Sequence, residues 1–212
     1  MGPTVLIADD HELFREGVRS LLTDALGARE VRQAASLDEA LELLSEGAPP
    51  DLLVLDLRMP GVSGVESLGA LRDAFPGSRV VVMSASEDRG DIIAALHCGV
   101  HGYIPKSLSA AQIEAALKDV MSGRIYVPSV LGKRDGGEPE RAPSPAPIAV
   151  EGLTSRQRDV LGQLMKGQSS KEIARALGIA EGTVKIHLAA IYRSAGVRTR
   201  AEAIAKLSAM RG

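Results

Sequence analysis

Short apolar runs alternate with amphipathic segments along the first 123 residues of the chain. The runs lie at 5–8, 31–35, 52–56, 80–85 and 102–106. Continuous branched apolar residues are typical of strands buried on both faces of a parallel sheet, and the intervening segments carry apolar residues at helical spacing. Five strands, each followed by a helix, predict an α/β fold with a doubly wound (βα)5 parallel sheet, for which we expect the strand order 2-1-3-4-5.

The pattern changes twice after the fifth unit. Residues 128–148 are rich in proline, glycine and charge and show no periodicity, which is typical of a linker. From residue 149 the apolar positions recur only at helical spacing, and four helices fit, at about 154–165, 169–177, 181–195 and 199–209. The predicted organisation is a first domain at 1–123, a linker at 124–148 and a small all-α domain of four helices at 149–212.

Several of the predicted helices begin with a capping box, in which a serine or threonine is followed three residues later by glutamate or glutamine. The pairs are Ser36 with Glu39, Ser63 with Glu66, Ser109 with Gln112, Thr154 with Gln157, Ser169 with Glu172, and Thr199 with Glu202.

Charge separates the two domains more sharply than the net value of −2 suggests. Residues 1–148 carry a net charge of −8 and residues 149–212 carry +6. A basic second half is the one expected to meet a polyanion. The single cysteine excludes an internal disulfide, no run is long enough to span a membrane, and a cytoplasmic location is expected.

Three carboxylates follow strands that the predicted order makes neighbours. Asp9 and Asp10 follow the first apolar run and Asp56 ends the third, so all three should share one crevice at the carboxyl edge of the sheet. Their mutual repulsion predicts that at least one is protonated unless a cation lies among them, and clustered carboxylate oxygens with room for water suit Mg²⁺. Ser84 and Lys106 end the next two strands and add a hydroxyl and an ammonium. This combination predicts phosphoryl transfer with Asp56 as nucleophile.

The same residues resemble the receiver domain of two-component response regulators. The resemblance rests on Asp9-Asp10, the block LDLRMPGVSG, VMSA and GYIPK, in order over about 120 residues. It implies that Asp56 is phosphorylated by a histidine kinase and that Asp10, Asp56 and the backbone carbonyl of Arg58 bind Mg²⁺, with Asp9 assisting. It further implies a switch pair, in which the Ser84 hydroxyl moves to the phosphate and the Tyr103 ring turns inward.

Residues 169–191 have the layout of a helix-turn-helix, with Gly178 where the chain reverses. The second helix should place its first turns against base edges in the major groove. The residues expected to face DNA are Thr183, Lys185, Ile186, His187 and Ala189 on that helix, and Ser170 and Lys171 at the start of the preceding one.

The block from Leu153 to Ala205 is similar to the LuxR-type DNA-binding domain, although Ser170 and Ala189 stand where the family often has other polar residues. Together the two resemblances imply the NarL/FixJ type of response regulator: a transcription factor, not an enzyme, that accepts a phosphoryl group and loses it slowly. Its expected partners are a sensor histidine kinase, double-stranded promoter DNA, a second copy in a phosphorylated homodimer, and RNA polymerase.

Three alternatives stay open on the residues alone. A phosphohydrolase of the haloacid dehalogenase type also uses an aspartyl nucleophile, but it needs an aspartate two residues later, where this chain has Arg58. A regulator controlled by a bound partner would not require the full set of pocket residues. An all-helical protein-binding domain with a solvated basic face would also account for the second half. Each of several pocket residues, considered without the others, could also be a helix cap or an exposed residue at the end of a strand.

Overall fold

The structure, a computed structural model, describes residues 2–131 and 153–209 of the chain. Five strands and five helices alternate through the first part. They are β1 (Thr4–Ala8), α1 (Glu12–Leu26), β2 (Glu30–Ala34), α2 (Leu37–Ser45), β3 (Leu52–Leu55), α3 (Glu66–Ala74), β4 (Arg79–Ser84), α4 (Arg89–His97), β5 (Gly102–Pro105) and α5 (Ala110–Met121).

The five strands form one parallel sheet in the order β2-β1-β3-β4-β5, as predicted. In the register of β1 and β3, Ala8 lies beside Leu55, and the N–H of Asp56 donates to the carbonyl of Ala8 at 2.8 Å. The residues that follow these two strands therefore emerge side by side at the carboxyl edge of the sheet.

Both faces of the sheet are covered because side chains alternate between them. Helices α1 and α5 pack on one face, where Ile7 and Val54 are buried, and α2, α3 and α4 pack on the other, where Leu53 and Leu55 are buried. All four residues of β3 are buried, which explains why this strand is a continuous apolar run. The core fixes the position of Asp56 at its end.

The segment after α5 returns along the free edge of β5. The N–H of Tyr103 donates to the carbonyl of Tyr126 at 3.1 Å, and the N–H of Tyr126 donates to the carbonyl of His101 at 3.1 Å. Residues 124–131, which the sequence analysis assigns to the linker, therefore lie against the first domain. The remainder of the predicted linker, 132–148, lies outside the described residues.

The second part is all helical, in agreement with the prediction. Its helices are α6 (Ser155–Leu164), α7 (Ser170–Leu177), α8 (Glu181–Ala195) and α9 (Arg200–Ala209). Thr154 and Ser169 make complete capping boxes with the residues three positions later, and Gly178 ends α7 in the left-handed conformation, with φ of 65°. A core centred on Val160, Ile173 and Leu188 joins the four helices. None of the described helices combines the length and apolar character needed to cross a membrane.

One predicted cap is wrong. Helix α3 begins at Glu66 after Val65, and Ser63 does not cap it. Val65 already has helical backbone angles, and the N–H of Ser63 instead donates to the Ser67 hydroxyl at 3.1 Å. Ser63 therefore lies two residues before the N-cap position, too early to serve as the cap.

Candidate functional site

Asp56 is a buried carboxylate directly after the central strand β3, with 2% of its surface exposed. Its Oδ2 lies 2.8 Å from Nζ of Lys106, which follows β5, and its Oδ1 accepts the N–H of Arg58 at 3.0 Å. A buried carboxylate is costly unless it is paired and hydrogen bonded. Both conditions are met here by groups that the sequence analysis places in the same crevice.

Asp9 shares the Lys106 ammonium with Asp56. Its Oδ2 lies 2.6 Å from Nζ of Lys106, while its Oδ1 accepts the N–H of His11 at 2.9 Å. The lysine also lies over the ring of Phe14, with Nζ 4.7 Å from the ring centroid. One cation therefore holds the two buried carboxylates together, as their repulsion requires.

The fit of this crevice to a divalent cation can be judged from its donor atoms. Ligand atoms of Asp9, Asp10, His11 and Asp56 all lie within 4.8 Å of one another. Two of the carboxylates are buried and Asp10 is exposed, so the cluster opens to solvent on one side. Clustered carboxylate oxygens with access to water fit Mg²⁺, which keeps several waters and takes one or two carboxylates.

Ser84 and Tyr103 lie together in the interior of the first domain. Ser84 is 1% exposed, and the Tyr103 hydroxyl donates to the carbonyl of Ser86 at 2.8 Å. Burial raises the pKa of the Tyr103 hydroxyl, so it remains a proton donor. The expected inward turn of the ring has no counterpart in this conformation, because the ring is already fully buried.

Helix α8, the second helix of the predicted helix-turn-helix, packs against the first domain. Ile186, Ala189 and Ala190 are buried in the same apolar cluster as helices α2 and α3. Together with Gly182, Lys185 and Arg193 of α8 they form what we call the docking interface. These six residues recur at spacings of three and four, so they occupy one side of the helix.

The amino-terminal end of the docking interface is a close backbone contact. A Cβ added at Gly182 would lie 2.2 Å from the carbonyl oxygen of Gly61, in the loop that follows Asp56. One turn later, Nζ of Lys185 lies 2.8 Å from Oδ2 of Asp38 on α2. Only glycine permits the first contact, since a side chain at this position would overlap the loop.

The carboxyl-terminal end of the interface is formed by Arg193. Its guanidinium carbon lies 4.6 Å from the centroid of the Phe75 ring, and NH2 donates to the carbonyl of Ala74 at 3.3 Å. Burial lowers the pKa of Arg193. The cation–π contact and the backbone acceptor compensate in part for withdrawing this side chain from water.

Docking corrects the expectation that one set of α8 side chains faces outward. Four of the five residues predicted to face DNA on this helix are at least 93% buried: Thr183, Ile186, His187 and Ala189. The fifth, Lys185, is partly exposed and paired with Asp38. The reason is that Ile186 and Ala189 are apolar and become buried against α2 and α3 of the first domain.

The other two predicted DNA contacts lie away from this interface. Lys171 is exposed and Ser170 is partly exposed at the start of α7. The capping box of Ser169 and Glu172 fixes this helix start. The N–H of Glu172 donates to the Ser169 hydroxyl at 3.3 Å, which leaves the N–H groups of Ser170 and Lys171 to meet an anion.

Sequence reasoning missed the residues that join the two domains. No sequence pattern marks the contact residues Asp38, Gly61 and Phe75 on the first domain or Arg193 on the second. The reason is that contacts between residues far apart in the chain do not produce a hydrophobic periodicity. Gly182 offered the one clue. An isolated glycine inside a helical pattern is unfavourable and often marks a close approach of two backbones.

Comparisons with known proteins agree with this architecture. The family model described as the response regulator receiver domain matches residues 5–118, and that of bacterial regulatory proteins of the luxR family matches residues 151–207. The chain belongs to the two-component response regulators with a LuxR-type DNA-binding domain. This regulator is 39% identical over 204 residues to the glycerol metabolism activator of Pseudomonas putida, covering 94% of the chain and 92% of that protein.

Other relatives and solved structures extend the comparison. The nitrate/nitrite response regulator protein NarL of Escherichia coli is 34% identical, over 94% of the regulator and 92% of that protein. The receiver domain of the putative response regulator NarL from Mycobacterium tuberculosis is 34% identical with a TM-score of 0.52, covering 58% of this chain and 98% of that one. A structure of the RcsB–DNA complex is 21% identical with a TM-score of 0.57, covering 98% of each chain, and it supports the fold alone.

Proposed function

We propose that Asp56 accepts a phosphoryl group from a phosphohistidine of a sensor kinase. The observation that carries this proposal is the buried Asp56 carboxylate, 2.8 Å from the Lys106 ammonium and beside Asp9 and Asp10. One carboxylate oxygen of Asp56 forms the new P–O bond while the P–N bond to the kinase histidine breaks, giving an acyl phosphate.

The surrounding residues have separate roles in this transfer. Lys106 orients Asp56 and stabilises negative charge on the phosphoryl oxygens. Asp10, Asp56 and the carbonyl of Arg58 would hold Mg²⁺, with Asp9 assisting; the bound ion would neutralise charge between carboxylate and phosphate. Ser84, buried after β4, is the hydroxyl that would reach the phosphate.

The docked arrangement is the DNA-inactive state in this proposal. Helix α8 cannot pack against α2 and α3 and lie in a major groove at the same time. Phosphorylation at Asp56 would shift the population toward the open arrangement, since the loop at 60–63 lies between Asp56 and Gly182.

Open receivers would then pair. Phosphorylated homodimers would read two related half-sites whose spacing follows the dimer geometry, and would act on transcription by RNA polymerase in the cytoplasm. The proposed domain limits are 1–123, 124–148 and 149–212, with the residues from 124 to 131 held on the receiver.

The open protein should bind DNA through Lys185, so Lys185→Ala is expected to weaken binding by the phosphorylated protein. Loss of one phosphate contact should also lower the salt-dependence slope by about 1. The probe is a fluorescent duplex selected from a randomised library with protein treated with acetyl phosphate and Mg²⁺. Fluorescence anisotropy at several salt concentrations gives both affinity and slope.

Lys206→Ala is the matched control, since Lys206 is an exposed lysine on α9 of the same domain. It should leave the slope nearly unchanged. If Lys185→Ala and Lys206→Ala behaved alike, α8 would not be the recognition helix. If acetyl phosphate did not raise the affinity of the unaltered protein, phosphorylation would not control DNA binding.

A further inference from the structure

Helix α8 carries buried polar atoms that have no hydrogen-bond partner. Within the described residues, Oγ1 of Thr183, Nδ1 of His187 and one guanidinium nitrogen of Arg193 are buried and make no hydrogen bond. His187 is the titratable ring of this group and is only 3% exposed. Buried polar atoms without partners destabilise the arrangement that buries them.

We propose that His187 makes domain docking sensitive to acid, so that protonation of its ring releases the recognition helix. His187 lies between two residues of α8 that face different cores. Ile186 is buried in the apolar cluster of the receiver, and Leu188 is buried in the core of the second domain. His187 therefore lies on the flank of α8 where the two domains meet. This inference rests on the proposed inactive role of the docked state.

Charged groups face His187 from both domains. Arg156 on α6 repels a protonated ring, and Asp73 on α3 attracts it, although Asp73 also pairs with Arg72 at 2.7 Å. Burial is the largest effect, and the result is a lowered pKa for His187. The neutral ring is thus the form that the docked protein prefers.

The sign of the pH dependence follows from this preference. Separation of the domains would remove Asp73 but expose the ring to water, so the open state binds the proton more readily. Docking is then fully present above the ordinary histidine pKa of about 6.5 and is lost as the pH falls through the lower docked value. The docking equilibrium changes by up to about tenfold for each pH unit between the two values.

Release and DNA binding would reinforce each other at acid pH. A protonated His187 on the open α8 adds positive charge to the helix that meets phosphate. The docked state would then respond to two inputs, phosphorylation at Asp56 and proton concentration at His187. Either one would expose the same helix.

Small-angle X-ray scattering of the full chain without DNA tests the proposal. The radius of gyration of the unaltered protein should increase between about pH 8 and about pH 5. His187→Gln, which has a neutral side chain, should remain compact across this range. His187→Lys should be extended at both pH values, because lysine, with an ordinary pKa of about 10.4, stays charged across this range.

His101→Gln is the matched control, since His101 is a half-buried histidine of the receiver whose pKa burial also lowers. It should retain the acid transition of the unaltered protein. An unchanged transition in His187→Gln, or none in the unaltered protein, would overturn the proposal. Circular dichroism at both pH values distinguishes domain release from unfolding.

The same samples separate this inference from the proposed function. Treatment with acetyl phosphate and Mg²⁺ at about pH 8, at a protein concentration where the forward scattering gives the mass of a monomer, should enlarge the radius of gyration through Asp56 instead of His187. Expansion on phosphorylation but not on acidification would contradict only the proton response. Expansion on acidification but not on phosphorylation would contradict only the phosphorylation control.

Discussion

Alanine at position 182 is expected to open the docked arrangement and to raise the DNA affinity of the unphosphorylated protein by about 5- to 150-fold, the range of a typical coupling free energy. The added Cβ would lie 2.2 Å from the carbonyl oxygen of Gly61, which is backbone and cannot rotate away. Overpacking of this kind costs about 1–3 kcal/mol. The open state avoids this cost.

Anisotropy of the selected duplex measures this effect, and Gly162→Ala is its matched control. Gly162 lies in α6, and a Cβ there would meet nothing within 4 Å. Gly162→Ala likewise replaces a helical glycine with alanine, but outside the docking interface. Scattering provides a reading independent of any contact between residue 182 and DNA. Equal affinity and equal size for the two variants would show that the Gly61 contact does not hold the domains together.

Loss of Asp56 is expected to abolish phosphoryl acceptance completely. The unaltered protein incubated with acetyl phosphate and Mg²⁺ should gain about 80 Da, the mass of one phosphoryl group, whereas Asp56→Ala should gain nothing. The reason is the position of Asp56. It directly follows β3, pairs with Lys106 and lies beside the other carboxylates of the acidic cluster. Intact mass spectrometry measures the adduct.

Asp24→Ala controls for the removal of an aspartate, since Asp24 is exposed on α1. Its adduct should match that of the unaltered protein. An adduct of equal yield on Asp56→Ala would place the phosphoacceptor elsewhere. The absence of an adduct on the unaltered protein would sink the proposal altogether.

The receiver half could be predicted from sequence because its signals are local. Apolar runs give the strands, capping residues give the starts of α2 and α5, and the strand order brings Asp9 and Asp56 together without any knowledge of distant contacts. The position of Lys106 could be predicted in the same way, since it directly follows a strand at the same edge of the sheet. The ionic geometry of the pocket is a direct consequence of topology.

The exposed face of α8 could not be predicted in the same way. Ile186 and Ala189 are compatible with a DNA groove and with the surface of α2 and α3, and the sequence of the helix alone does not select between them. Which surface α8 contacts depends on residues more than 100 positions away in the chain. Gly182 meets the loop at Gly61, and Lys185 pairs with Asp38. The position of the Tyr103 ring likewise depends on the packing around it.

The loop after β3 serves two neighbours at once. Its first residues are tied to Asp56 through the N–H of Arg58, and its carbonyl at Gly61 lies close to Gly182 of α8. Thermodynamic linkage between two such sites is reciprocal. If the proposed coupling holds, DNA that binds the open form would, at equilibrium, favour the acyl phosphate by the same factor by which the acyl phosphate favours DNA binding. In this regulator, bound promoter DNA would itself raise the phosphorylated fraction of Asp56.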